Sequence, residues 1–193
     1  MGKEALCRVR FGGQEWTAKA HLEEDVITVR GEPRVKVALQ RLASVEDGWL
    51  VLPSPGGELS LELGDEAPKW AHAIQNPRTL LDKLGLRAGQ SIAVLGFPET
   101  DWLEGLPFSS ALADSTYDVI LRRIDTASGL DSLEPLRDAL IERGMLWIVF
   151  PKGRTEITEM QIFAAGKALG LVDVKVCRFS ATHTGLKFVR PKK

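Results

Sequence analysis

The segment "FSATHTG", residues 179–185, contains residue types that could carry out nucleophilic or acid–base chemistry. A hydroxyl group becomes a nucleophile when a nearby imidazole accepts its proton, and here Ser180, Thr182 and Thr184 surround His183. Small polar residues and a histidine are also ordinary in a hairpin loop, and the chain lacks the G-x-S-x-G turn that presents a serine nucleophile. We therefore predict no catalytic residue, and we retain Thr182, His183 and Thr184 as candidates for ligand contacts.

The segment "IAVLGFPETDWLEGL", residues 92–106, begins as a buried strand of a nucleotide-binding α/β domain would. Gly96 stands where the backbone of such domains turns around a phosphate. The next residues do not suit that task, because Phe97 has a bulky side chain and Pro98 has no N–H to donate. Neither G-x-G-x-x-G nor G-x-x-x-x-G-K-[ST] occurs in the chain. The sequence therefore predicts the strand and turn of a cofactor site without the groups that hold a phosphate.

The second half of the chain alternates apolar strands with amphipathic helices, a pattern typical of an open α/β sheet. The final two strands are joined by a loop so short that they must form an antiparallel hairpin. We predict an α/β Rossmann-like domain with a mostly parallel five-stranded sheet ending in that hairpin. The predicted strands are 90–97, 117–124, 145–150, 173–180 and 186–190, and the predicted helices are 76–85, 132–144 and 158–169.

A ligand site is expected at the carboxyl edge of this sheet, because open parallel sheets bind ligands beyond the carboxyl ends of their strands. The opposing interpretation is that the charged residues of these loops are only solvated. The residues of the predicted edge are Gly96, Phe97, Glu99, Trp102, Arg123, Asp125, Lys152, Arg154, Thr182, His183 and Thr184.

The first half reads as short strands separated by turns, which favours an antiparallel sandwich or barrel. A helix follows, with Asp65 as a potential cap, Pro68 in its first turn and Trp70 on its apolar face. We predict two domains, residues 1–75 and 76–193. The predicted strands of the first are 5–11, 15–22, 25–31, 34–39, 48–54 and 58–64.

Residues 4–75 resemble a pleckstrin-homology-like domain, through the closing segment "GELSLELGDEAPKWAHAI" and the position of Trp70 near the start of the last helix. The resemblance implies an α+β unit in which that helix plugs a β-barrel. Members that bind phosphoinositides carry several basic residues around the first hairpin loop, which here is "GGQE". Lipid-headgroup binding through this domain is therefore kept only as a second alternative.

Residues 76–193 resemble a family of small uncharacterised bacterial domains that look like a shortened class I methyltransferase. The segments that carry the resemblance are "LGLRAGQSIAVLGFPE" and "LVDVKVCRFSATHTGLKFVRPKK". Methyltransferases of this class hold S-adenosylmethionine with a glycine-rich turn, an acidic residue after the second strand and a loop over the adenine. Only Gly96 remains here, and residues 97–116 are too few for the second and third strands. We predict no bound cofactor, with S-adenosylmethionine as an alternative.

Composition excludes several classes of protein and of binding site. The 193 residues carry a net charge of −1, too little positive charge for a nucleic-acid-binding face. The only two cysteines, Cys7 and Cys177, lie in apolar runs and are predicted to be buried free thiols, and three scattered histidines predict no metal site. The start has no signal-peptide pattern and no run is long enough to span a bilayer, so a cytoplasmic location is expected.

The favoured function at this stage is a non-enzymatic binding or scaffold protein that acts through a protein partner or self-association. The alternative is an enzyme or sensor that binds S-adenosylmethionine or another small molecule at the carboxyl edge. A structural hypothesis accompanies both: with two strands missing, residue 92 would begin an edge strand. Trp102, Leu103 and Leu106, the first domain or a second chain would then cover that edge.

Overall fold

A computed structural model describes residues 2–192 of the chain. The chain divides into two compact units, Met1–Pro77 and Arg78–Lys193. None of the described helices is long and apolar enough to cross a membrane. Cys7 and Cys177 are both buried, as predicted, and burial raises the pKa of the Cys7 thiol to about 11.

The first unit is one antiparallel sheet of seven strands, in the order β4-β3-β2-β1-β7-β6-β5. Alternating residues of its long strands are buried, so one face forms the core and the other faces solvent. The helix α1 (Ala67–Gln75) supplies Trp70, which is 2% exposed, to the same core. The strands are β1 (Lys3–Phe11), β2 (Gln14–Leu22), β3 (Val26–Arg30), β4 (Val35–Ala38), β5 (Ser44–Glu46), β6 (Trp49–Ser54) and β7 (Gly57–Glu62).

The predicted pleckstrin-homology-like barrel is wrong. The sheet is open, because β4 and β5 stand at its two ends. The strand β5 was not predicted, since it has only three residues and all of them are exposed. Asp65 does not cap α1: a 3-10 turn precedes the helix, and Glu66 occupies the cap position without a side-chain hydrogen bond. Pro68 lies in the first turn, as predicted.

The basic residues near the first hairpin are neutralised by glutamates. Arg8 pairs with Glu62, and Arg10 donates to Glu15 at 2.6 Å. The Arg8 guanidinium in turn holds the pKa of Glu62 below its ordinary value. An anionic headgroup would have to displace these carboxylates, which removes the physical basis for the lipid alternative.

The second unit contains a five-stranded sheet in the order β11-β12-β10-β9-β8. Its strands are β8 (Ile92–Leu95), β9 (Tyr117–Arg123), β10 (Leu140–Pro151), β11 (Val172–Arg178) and β12 (His183–Val189). The sheet is mixed, which corrects the predicted mostly parallel arrangement: β9 pairs in parallel with β8 and β10, whereas β12 is antiparallel to both β10 and β11. The returning strand of the terminal hairpin, β12, lies between β10 and β11. It therefore takes part in two of the four strand pairings of this sheet.

The three α-helices of the second unit are shorter than predicted. They are α2 (Leu80–Leu84), α3 (Glu134–Asp138) and α4 (Glu159–Ala168). The predicted helix 132–144 stops after α3, because Leu140 is buried in the sheet opposite Tyr117 at the start of β10. A burial gain of this kind outweighs the local helix pattern of a short segment.

Side-chain caps determine where α2 and α4 begin. Asn76 does not start a helix; α2 begins after Thr79, whose hydroxyl accepts the amide of Asp82 in a reciprocal capping box. The pKa of Asp82 is lowered by its hydrogen bonds to Thr79. The predicted capping box of Thr158 and Gln161 is confirmed at the start of α4.

Candidate functional site

The turn after β8 places Gly96 against the neighbouring loop. Gly96 has a φ of +78°, and a Cβ at this position would lie 3.1 Å from the carbonyl oxygen of Arg123. The glycine is therefore required by a positive φ and by the close backbone at the end of β9.

An aromatic cluster of Phe97, Trp102 and Phe179 covers this turn. The ring centroids of Phe97 lie 5.5 Å from those of both partners, and Trp102 meets Phe179 edge-on at 5.1 Å. The indole N–H of Trp102 donates to the carbonyl of Glu99 at 3.0 Å. Phe179 was absent from the predicted site; its position directly after a strand was the signal that could have found it.

Replacing Trp102 with alanine is expected to lower the free energy of unfolding of the second unit by about 1–2 kcal/mol, less than for a fully buried tryptophan, because the side chain is half-buried. Denaturant unfolding of the Trp102→Ala and Trp102→Phe variants measures this. The phenylalanine variant should retain more than half of the free energy of unfolding that the alanine variant loses, since it keeps the ring contacts. An unchanged midpoint for Trp102→Ala would show that the cluster does not stabilise the fold.

The open edge of β8 is covered by a segment that was not predicted to do so. Ser109 forms an isolated parallel bridge with Ala93: its amide donates to Ile92 and its carbonyl accepts from Val94, both at 2.8 Å. Leu103 is buried beneath, in the core that contains Val94 and Leu121. The backbone of the edge is thus satisfied by residue 109, while residues 102 and 103 pack on a face of the sheet.

Four side chains from the end of β9 and the start of β12 meet at the carboxyl edge. Arg123 donates through Nε to both oxygens of Asp125 at 3.1 Å. The nearer of these oxygens to His183 lies 3.6 Å from Nε2, and Thr182 Oγ1 lies 2.9 Å from Nδ1. His183 Nε2 is buried without a hydrogen-bond partner among the described residues. We call Asp125, His183 and Thr182 the edge triad.

Lys152 joins the same cluster from the end of β10. Its Nζ donates to the carbonyl of Ser180 at 2.9 Å, and its backbone amide donates to the carbonyl of Thr182 at 2.8 Å. Three further predicted residues make no side-chain hydrogen bond or ion pair with the triad in the described part of the chain. Thr184 pairs with Phe150 within the sheet, and the other two are Glu99 and Arg154.

The arrangement can bind an anion. Lys152 and Arg123 contribute two positive charges to the cluster, whereas Asp125 contributes one negative charge, so positive charge is in excess. No three side chains of the ligating types gather among residues 2–192 in a way that could hold a metal ion.

Comparison with known proteins does not assign the chain to a family. No family model matches the chain, and no curated protein matches it. Solved structures with a similar fold include a ribosomal protein L11 methylase from Lactobacillus delbrueckii subsp. bulgaricus, at 12% identity and a TM-score of 0.43 over 58% of this chain and 75% of that one. A SAM-dependent methyltransferase from Aquifex aeolicus matches at 14% identity and a TM-score of 0.44, over 58% of this chain and 88% of that one. Magnesium protoporphyrin IX methyltransferase from Synechocystis PCC 6803, solved with bound SAM, matches at 13% identity and a TM-score of 0.43, over 58% and 74%.

The solved structures named above are of methyltransferases, and each matches 58% of this chain. The predicted non-enzymatic scaffold function is corrected accordingly, since these neighbours are methyltransferases. The alternative of a small-molecule-binding protein agrees better with them.

The residues at the turn do not fit the usual seat of S-adenosylmethionine in this fold. The only glycine of the turn is packed on Arg123, the ring of Phe97 lies beside it, and residue 109 occupies the strand position from which a ribose-binding acid would come. We therefore derive no methyl-transfer step.

Proposed function

We propose that the second unit binds a small molecule with an anionic group at the carboxyl edge of its sheet. The observation that carries the proposal is the convergence of Arg123, Asp125, Lys152, Thr182 and His183 at this edge. The two units are further proposed to be separate domains, with their boundary in the chain near Pro77.

Three features support an anionic ligand. Lys152 is exposed, and its ammonium has three donors of which the Ser180 and Ala181 carbonyls take two, at 2.9 and 3.5 Å. The charge of Arg123 is balanced by Asp125, which leaves the charge of Lys152 uncompensated within the cluster. His183 carries a buried nitrogen without a partner, and such groups are costly unless a ligand or solvent satisfies them.

We expect inorganic phosphate, titrated to about 10 mM, to shift the backbone amide NMR signals of residues 123–125, 152–154 and 180–184. Lys152→Ala should weaken this binding by about tenfold, equal to about 1.4 kcal/mol. Lys69→Ala is the matched control: it removes one exposed lysine charge from the first unit and should leave the titration unchanged.

Parallel titrations with S-adenosylmethionine and adenosine test whether the protein binds S-adenosylmethionine. Because its usual seat does not fit, we expect S-adenosylmethionine at about 1 mM to shift the signals of residues 96–99 no more than adenosine does. Equal phosphate shifts in the Lys152→Ala and wild-type proteins would refute the anionic site. Saturable shifts with both adenosyl compounds would replace it with an adenosine site.

A further inference from the structure

The edge triad has a defined hydrogen-bond direction. Ser180 Oγ accepts the amides of Thr182 at 3.2 Å and of His183 at 3.0 Å, which uses both of its lone pairs. Its own proton is therefore available to Thr182 Oγ1, which lies 3.3 Å away. When Thr182 Oγ1 accepts the proton of Ser180 on one lone pair, its own hydroxyl proton points to Nδ1 of His183.

The carboxylate of Asp125 lies on the other side of the imidazole. Its nearer oxygen is 3.6 Å from Nε2 of His183, so a proton on Nε2 would point toward a negative charge and leave Nδ1 as the acceptor. Arg123 keeps Asp125 in place through its two contacts of 3.1 Å. The Nε2 separation exceeds a hydrogen bond, but catalytic contacts commonly shorten when substrate binds.

We infer that Thr182 is a nucleophile for acyl transfer, with His183 as its general base and Asp125 as the group that orients the base. This inference rests on the proposed ligand site, because the substrate would bind there. The matching substrate is a small carboxylic ester that also carries an anionic group. Nucleophile, base and orienting acid are the three roles that such chemistry requires, and here they come from the loops after β9 and β11.

The reaction follows from these positions. Oγ1 of Thr182 bonds to the carbonyl carbon of the ester while its proton passes to Nδ1 of His183. The C–O bond to the leaving alcohol then breaks, and the alcohol takes the proton from Nδ1. Water repeats the two steps on the acyl-threonine and releases the acid.

The experiment treats the full-length protein with p-nitrophenyl acetate and follows p-nitrophenolate release, with peptide mass spectrometry to locate the acetyl group. We expect one acetyl group on Thr182, and a loss of that label in Thr182→Ala. Asp125→Asn and His183→Gln should slow its formation by at least about tenfold. Thr182→Ser should restore labelling at this position.

Thr155→Ala is the matched control, since Thr155 is another exposed threonine of the same unit and should label and react as the wild type does. Acetylation confined to lysines, or equal labelling of residue 182 in His183→Gln and wild type, would overturn the inference. Phosphate-induced NMR shifts without acetylation of Thr182 would overturn the nucleophile alone and leave the binding site standing. Circular dichroism melting of each variant excludes unfolding as the cause.

Discussion

Replacing Trp147 with alanine is expected to lower the free energy of unfolding of the second unit by about 3–5 kcal/mol. Trp147 is fully buried at the centre of β10, in the core that also holds Leu84 and Cys177. Its indole N–H donates to the carbonyl of Leu84 at 2.9 Å, which fixes the last turn of α2 on the sheet. The variant would lose the packing and leave that carbonyl without its buried donor.

Urea unfolding followed by circular dichroism measures this loss, with Trp147→Phe as the comparison. Phenylalanine keeps most of the apolar volume but not the N–H, so its cost should be near 1–2 kcal/mol. The first unit provides an internal reference, because its own transition should not move. Equal stability of the alanine variant and the wild type would mean that α2 is not anchored through Trp147.

Gly166→Ala is expected to destabilise the second unit by about 2–3 kcal/mol, although alanine normally stabilises a helix by about 1 kcal/mol relative to glycine. Gly166 lies inside α4, and a Cβ there would be 2.2 Å from Cε1 of Phe188. Phe188 is 1% exposed and cannot swing away. The helix would have to shift off the sheet to accept one methyl group.

Thermal and urea unfolding of Gly166→Ala and of the double variant Gly166→Ala/Phe188→Leu test this account. The double variant should cost less than the sum of the two single changes, because the smaller side chain makes room for the methyl group. Lys167→Ala, an exposed neighbour in α4, should stay within about 0.5 kcal/mol of wild type. A stabilised Gly166→Ala variant would show that α4 does not pack this closely on β12.

The local elements that sequence reasoning recovered are those whose signal lies within a few residues. The alternation of β1 and β2, the capping box at Thr158 and the apolar run of β8 each specify their structure without distant contacts. The terminal hairpin followed from the shortness of its loop. The failures lie where tertiary burial competed with local pattern, as at Leu140, or where an element was only three residues long, as at β5.

The residues of the candidate site could be predicted from the rule that ligands bind at the ends of strands. The contacts among these residues could not be predicted in this way. The sequence by itself determined that Arg123, Asp125, Lys152 and His183 follow strands and that the glycine turn lacks the means to hold a phosphate. Only the tertiary structure decided that Asp125 approaches His183 and that Ser109 completes the edge of β8. The reason is physical: strand position is encoded by local periodicity, whereas a contact between loops depends on strand order and register, which the whole core sets together.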